Sequence, residues 1–133
     1  MEIKRNFNIK TPQAQKLTIK SDNGSISGQL KWNDNFAGKY NDGFLKAQEY
    51  IDAECIRRMT NVELHPIRDK VLARSATLGT AIGSGKIVQN TPYARRQYYE
   101  HGTKSRWFER MKNRDKDVIL RGAQQILKGA VIK

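Results

Sequence analysis

The chain has one cysteine, three prolines, two histidines and no long apolar run, and these absences set the first limits. With Cys55 alone, no internal disulfide can close and no thiolate cage can hold zinc. An intracellular chain is the simplest expectation. No stretch approaches the roughly 20 apolar residues that a membrane-spanning helix needs. Residues 1–6 have no apolar run behind them, so no signal peptide is expected. Acidic groups are also few, at 13 against 25 Lys and Arg, which leaves a net charge of +12.

That charge is unevenly spread. Residues 66–114 carry a net +8, and residues 41–65 a net −2. A basic field of this kind attracts polyanions such as nucleic acid or an acidic protein surface. It also keeps a protein soluble, and that plainer role needs no partner. The apolar fraction of 38% is low for a globular domain, in a chain long enough for one core. A thin core completed by neighbours is the expectation.

The periodicities predict an α+β fold across one domain, residues 1–133: two β-hairpins forming an antiparallel sheet packed against two main helices. The β-rich part covers residues 1–40, with the first dozen as a strand or arm. Lys16-Leu-Thr-Ile-Lys20 alternates polar and apolar, and Ser25-Ile-Ser-Gly-Gln-Leu-Lys-Trp32 alternates again, with Ile26, Leu30 and Trp32 on one side. Between them Asp22-Asn23-Gly24 is a hairpin turn, since Asn and Gly tolerate positive φ. A helix over 42–60, capped by Asn41 or Asp42, carries the stripe Phe44, Ala47, Ile51, Cys55, Met59. The second hairpin is expected over 76–90, turning at Gly83-Ser84-Gly85. Thr91-Pro92 opens a short helical piece that ends by Gly102. A last helix over 105–128, with room for a bend near Asn113, has Val118, Ile119, Gly122, Ala123, Ile126 and Leu127 inward.

No residue set points to catalysis, so binding and assembly are expected, without metal or cofactor. Gly79-Thr-Ala-Ile-Gly-Ser-Gly85-Lys86-Ile87 imitates a phosphate-binding loop. It is one residue too long, and Ile87 stands where a magnesium-binding Ser or Thr is required. His65 and His101 could in principle cleave RNA by acid–base steps. A loop position before proline and a helix end are more often surface or capping places. Cys55 lies on an apolar stripe, where a buried, inert thiol is the default. Asp115 and Asp117 suit the early turns of the last helix.

The densest signal is Thr91-Pro-Tyr-Ala-Arg-Arg-Gln-Tyr-Tyr-Glu100, followed by Arg106-Trp-Phe-Glu-Arg110. Arginines among aromatics can grip phosphates and stack on bases. The same residue types anchor protein interfaces. This block, read from Leu78 through Gly83-Ser-Gly-Lys-Ile-Val-Gln-Asn-Thr-Pro-Tyr-Ala-Arg-Arg-Gln-Tyr-Tyr99, resembles the central block of a bacteriophage minor capsid protein family. Arg106-Trp-Phe-Glu-Arg-Met-Lys112, Asp117-Val-Ile-Leu-Arg-Gly-Ala123 and Ala47-Gln-Glu-Tyr-Ile-Asp-Ala-Glu-Cys55 extend the resemblance. Two features depart from the family pattern. Pro66-Ile-Arg-Asp-Lys-Val-Leu72 lacks its Thr-Gly turn, and a short join from Glu100 to Arg106 stands where it often has an insertion.

The resemblance implies a virion protein of the phage neck, made in the bacterial host cytoplasm and acting in head–tail connection or tail completion. It implies a homo-oligomeric ring of about six or twelve copies. Its partners would be a head-side adaptor or stopper protein, a tail terminator or tube protein, and packaged DNA in the channel. In that setting Lys86, Arg95, Arg96, Arg106 and Arg110 are the expected interface or DNA-facing residues. Tyr93, Tyr98, Trp107 and Phe108 are the expected structural anchors. The competing expectation is a free nucleic-acid-binding module or small ribonuclease.

Overall fold

A computed structural model describes residues 8–61, 63–66 and 70–132. The architecture is α+β, with strands β1 (Gln15–Ser21) and β2 (Gly24–Leu30). Among the described residues four helices follow, α1 (Phe36–Met59), α2 (Lys70–Gly79), α3 (Ala94–Glu100) and α4 (Trp107–Ile132).

The body is built on α1 and α4, which run antiparallel along each other. Two glycines allow their close approach. A Cβ on Gly43 would stand 2.9 Å from Leu127 Cδ1, and one on Gly122 would stand 2.6 Å from Tyr50 Cζ. Such distances leave no room for a methyl group without repacking. The core lies toward the other end of the pair. There Cys55, Ile56 and Met59 of α1 meet Trp107, Met111 and Ile119 of α4, with Leu72 and Ala76 of α2 and Ala94 of α3. On α4 the buried positions are Trp107, Met111, Asp115, Ile119 and Ala123, a strict four-residue step. Val118, expected inside, is exposed, because its neighbour Ile119 takes the inward direction.

α1 begins six residues before the expected start, with Asn35 at its N-cap and no side-chain capping bond. Asn41 therefore lies inside the helix. Its carboxamide makes a two-way pair with the backbone of Ile9, accepting from Ile9 N at 2.8 Å and donating to Ile9 O at 3.0 Å. Thr11 Oγ1 accepts from Ala37 N at 3.3 Å. Residues 8–14 are thereby held beside α1 as an irregular arm. The rest of the expected N-terminal strand or arm, residues 1–7, lies outside the described residues.

The first hairpin forms as expected. β1 and β2 pair antiparallel, with Ile19 opposite Ile26, Leu17 opposite Gly28 and Gln15 opposite Leu30. Gly24 supplies the positive φ of the turn, at 146°. The expectation that this sheet packs on the helices is not met: every hairpin residue is exposed.

The second hairpin, expected over 76–90, is absent, and among the described residues the sheet has two strands. Residues 70–79 are helical because Leu72, Ser75 and Ala76 fall inward at three- and four-residue steps. The β-branched content of Thr77-Leu-Gly-Thr-Ala-Ile82 gives way to that packing. Beyond α2 the chain does reverse at its glycines, with φ of 99° at Gly83 and 77° at Gly85. It makes no ladder. Thr80 Oγ1 accepts from Val88 N at 3.0 Å and closes a loop over 80–93 instead.

Candidate functional site

The loop is held from inside by Asp52, 2% exposed in the middle of α1. Its Oδ2 accepts from Gly83 N at 2.8 Å and Gly85 N at 3.0 Å. Its Oδ1 accepts from Gln48 Nε2 at 2.9 Å. The glycines that imitate a phosphate-binding loop thus do bind an anion, a carboxylate of their own chain. Successive amides in a left-handed turn form such a concavity.

Gln89, at the loop's far end, makes a second hub. Its Nε2 donates to Leu72 O at 3.0 Å and contacts His65 Nε2 at 3.1 Å. Its Oε1 accepts from Trp107 Nε1 at 2.9 Å. One side chain therefore ties the α1–α2 connection, α2 and α4 together. His65 is 1% exposed and lies against Trp107, with ring centroids 4.4 Å apart. Its Nδ1 lies 3.2 Å from Pro66 O. With Nε2 accepting from Gln89, Nδ1 carries the proton and donates. The expectation of a surface histidine is corrected: both ring nitrogens are committed inside the core. His101 Nδ1 accepts from Lys104 N at 2.9 Å and Thr103 N at 3.3 Å, which turns the chain between α3 and α4.

Between these hubs lies a cavity of about 390 Å³, walled by Ile51, Cys55, Met59, Ile87, Tyr98 and Phe108 among others. Burial, then the Asp52 and Glu54 carboxylates, push the Cys55 thiol above its ordinary value. The thiol is thus held as an unreactive S–H. Burial likewise raises the Tyr98 phenol. The chemistry on these walls is structural: the Asp52, Gln48 and Gln89 groups spend their hydrogen bonds on this chain.

Of the expected anchors, Trp107 is buried, and Tyr98 meets it edge-on at 4.8 Å. Tyr93 and Phe108 are partly buried against the same cluster. They seat a loop, not a hairpin, on α4. The five cations lie on three segments: Lys86 in the loop, Arg95 and Arg96 on α3, and Arg106 and Arg110 around the start of α4. Arg96 pairs with Glu100 at 3.1 Å and Arg106 with Glu109 at 3.3 Å, both at the exposed surface. The Arg106 guanidinium also lies 5.4 Å from the Tyr99 ring centre. Arg110 donates to the carbonyls of Thr103 and Ser105. Lys86 and Arg95 have exposed side chains.

Asp115 is more than a helix-dipole residue. It pairs with Arg114 at 2.9 Å and Arg58 at 3.5 Å, and Arg58 continues to Glu54 at 2.9 Å. The hydrogen bond from Arg114 holds the Asp115 carboxyl below its ordinary range, and that from Arg57 does the same for Glu54.

Sequence reasoning missed Asp52 and Gln89. Asp52 was open to detection, because a carboxylate three residues before Cys55 lies in the buried arc and demands donors. Gln89 carried no local signal. Among the described residues, no group of three or more His, Cys, Asp or Glu side chains could hold a metal ion. No helix there is long and apolar enough to cross a membrane. No protein-family model matches the chain, and neither the curated proteins nor the solved structures give a match.

Proposed function

We propose that this is a structural assembly protein, a neck component of a long-tailed phage that joins head to tail as a homo-oligomeric ring. The observation that carries the assembly reading is the hairpin. Pairing puts Leu17, Ile19, Ile26 and Leu30 on one face and Lys16, Thr18, Lys20, Ser27 and Gln29 on the other. The first face has no charge, in a chain with 29% charged residues, and its four aliphatics are 56–74% exposed. An isolated two-stranded hairpin is marginal in water and needs a further strand or a packing surface. Fully burying such a side chain is worth about 1.5–3 kcal/mol. At these exposures roughly 4–8 kcal/mol remains to be gained from a neighbour, before the cost of association. Among the described residues both edges of the sheet are unpaired, which suits strand addition between copies. The phage assignment rests on the resemblance of residues 78–99, and the partners it implies are a head-side adaptor or stopper, a tail terminator or tube protein, and packaged DNA.

Sedimentation velocity tests the assembly half. The parent chain should form discrete oligomers, and Ile19→Lys with Ile26→Lys should leave a monomer with the same helical signal. A parent that stays monomeric at high concentration removes the hairpin argument. Electron microscopy of a lysate from a phage with this gene disrupted tests the other half. Filled heads beside separate tails are expected; normal infectious particles would refute the neck assignment.

The competing nucleic-acid reading keeps the support of the +12 charge. Its ribonuclease form is weakened, because His65 is 1% exposed and would have to break hydrogen bonds at both ring nitrogens to exchange a proton.

A further inference from the structure

The cavity of about 390 Å³ between the Asp52 and Gln89 hubs opens at the surface as a groove. Gly85 on its rim is exposed, and Ile51, Ile87, Tyr98 and Phe108 on its walls are only half-buried. The hairpin presents a surface of matching chemistry. Leu17, Ile19, Ile26 and Leu30 stand on one face at 56–74% exposure, with Ile19 directly opposite Ile26. Trp32, expected on the same side, packs on Phe36 at 4.9 Å instead, so the face ends at Leu30.

Within one chain these two surfaces stand apart. The hairpin leads into α1 at Phe36, and the groove lies alongside Ile51 to Met59. The helix from Phe36 to Ile51 is about 22 Å long at about 1.5 Å per residue. Every hairpin residue is exposed, so the hairpin does not reach its own groove. Size favours a second copy as the occupant. A cavity of about 150 Å³ admits a benzene-sized group. At about 390 Å³ the groove has room for a pair of isoleucine side chains. Opposed residues of an antiparallel pair have Cβ atoms about 4.5–5.5 Å apart, so Ile19 and Ile26 enter as one knob. Charge favours it too. The α1 wall belongs to residues 41–65, at net −2, while residues 15–31 carry Lys16, Lys20 and Lys31 against Asp22, net +2. Two copies at net +12 repel each other at large, and the pairing of these segments opposes that repulsion.

We infer that the hairpin of one copy docks into this groove on the next, with the Ile19–Ile26 pair against Ile51, Ile87 and Phe108. The inference rests on the assembly reading and gives it a direction. Donor and acceptor are different surfaces, so the contact is head-to-tail, and such contacts close into a ring when the rotation per copy allows it. Hairpin-to-hairpin pairing would be self-complementary and stop at a dimer.

Complementation between two variants of the full chain, followed by sedimentation velocity, tests this. Ile19→Lys with Ile26→Lys removes the donor and should leave a monomer. Ile87→Lys spoils the acceptor. The loop's hydrogen bonds run through Gly83, Gly85, Thr80 and Gln89, and none uses the Ile87 side chain. Alone, the acceptor variant should associate about 10- to 150-fold more weakly than the parent, the worth of burying one isoleucine. Mixed in equal amounts, the two variants should form a dimer that grows no further, because one intact hairpin meets one intact groove. Circular dichroism checks the fold of each. No dimer in the mixture would overturn the inference. An acceptor variant that assembles like the parent, beside a monomeric donor variant, would overturn the groove and leave the assembly reading standing. A monomeric parent would remove both. Hydrogen exchange of the parent needs no substitution: amides of residues 17–30 and 84–89 should slow together as concentration rises. Slowing of the hairpin alone would overturn the groove as its seat.

Discussion

Removing the Asp52 carboxylate should open the 80–93 loop at a cost of about 3 kcal/mol. The magnitude follows from the donors left behind in Asp52→Ala. Gly83 N is buried, and a buried donor stripped of its partner costs about 1–3 kcal/mol. Gly85 and Gln48 are more accessible and can turn to water. Each then loses only the net value of a hydrogen bond, about 0.5–1.5 kcal/mol. The total, about 2–6 kcal/mol, is a large part of the 5–15 kcal/mol typical of a domain. With a urea slope of about 2 kcal/mol/M, a loss of 3 kcal/mol lowers the unfolding midpoint by about 1.5 M. Asp52→Asn is the informative control. Its Oδ1 can take over both glycine amides, and Gln48 can flip to present its Oε1 to the new NH₂. That variant should lose only about 1 kcal/mol, the difference between charged and neutral acceptors. Both variants remove the same negative charge, so the order of severity separates hydrogen bonding from electrostatics. The assay is urea unfolding followed by circular dichroism, with amide exchange at Gly83 and Gly85. Midpoints for Ala and Asn within about 0.3 M of the parent, with unchanged Gly83 exchange, would refute the reasoning.

Gly122→Ala should lower stability by up to about 2 kcal/mol, because displacing the Tyr50 ring costs about 1–3 kcal/mol and the gain in helix propensity returns about 1; an unchanged or raised melting temperature would mean that Tyr50 swings aside freely. Asp115 and Glu54 have carboxyl groups depressed by their arginines, so the folded state binds fewer protons than the unfolded chain through the acid range. Their contribution is fully present above about pH 5 and is lost as pH falls below about 4. Thermal melts from pH 7 to pH 3 should show this decline, and Arg114→Gln should make it shallower. Arg95→Ala with Arg96→Ala should reduce assembly of particles while shifting stability by less than about 0.5 kcal/mol, since the Arg96–Glu100 pair is exposed; unchanged assembly removes both arginines from the interface.

How much of this was legible in the sequence depended on how far apart the deciding partners stand. The first hairpin was readable because turn and alternation lie within sixteen residues and compete with nothing. The α1 stripe through Ala47, Cys55 and Met59 was readable for the same reason. Residues 76–90 were misread because what decides their shape comes from elsewhere. Asp52, some thirty residues upstream, supplies the acceptor that Gly83 and Gly85 would otherwise seek in a ladder. Gln89 engages Trp107, eighteen residues downstream, instead of facing a strand partner. The glycine turn itself was correctly placed, but not what the chain does on either side of it. For the site, the sequence supplied the residue types of the Arg–aromatic block. Trp107 and Tyr98, expected as anchors, do face the core; the sequence did not show that Trp32 would pack on Phe36 of α1.

The two halves of the molecule solve their burial problem in opposite ways, and this makes stability and assembly separable. In the body the central polar side chains are satisfied within the chain: Asp52 by the loop amides, Gln89 by Trp107 and His65, Asp115 by its arginines. A change there alters the folding free energy first. Among the described residues, nothing covers the aliphatic face of the hairpin. Its aliphatic side chains are 56–74% exposed, so replacing Ile19 or Ile26 should disturb the body little. Such a change should leave the melting temperature of a dilute monomer in place. It should act only when copies meet, and its effect should therefore grow with protein concentration. A body variant such as Asp52→Ala should show the reverse, a lower melting temperature that is already present at high dilution.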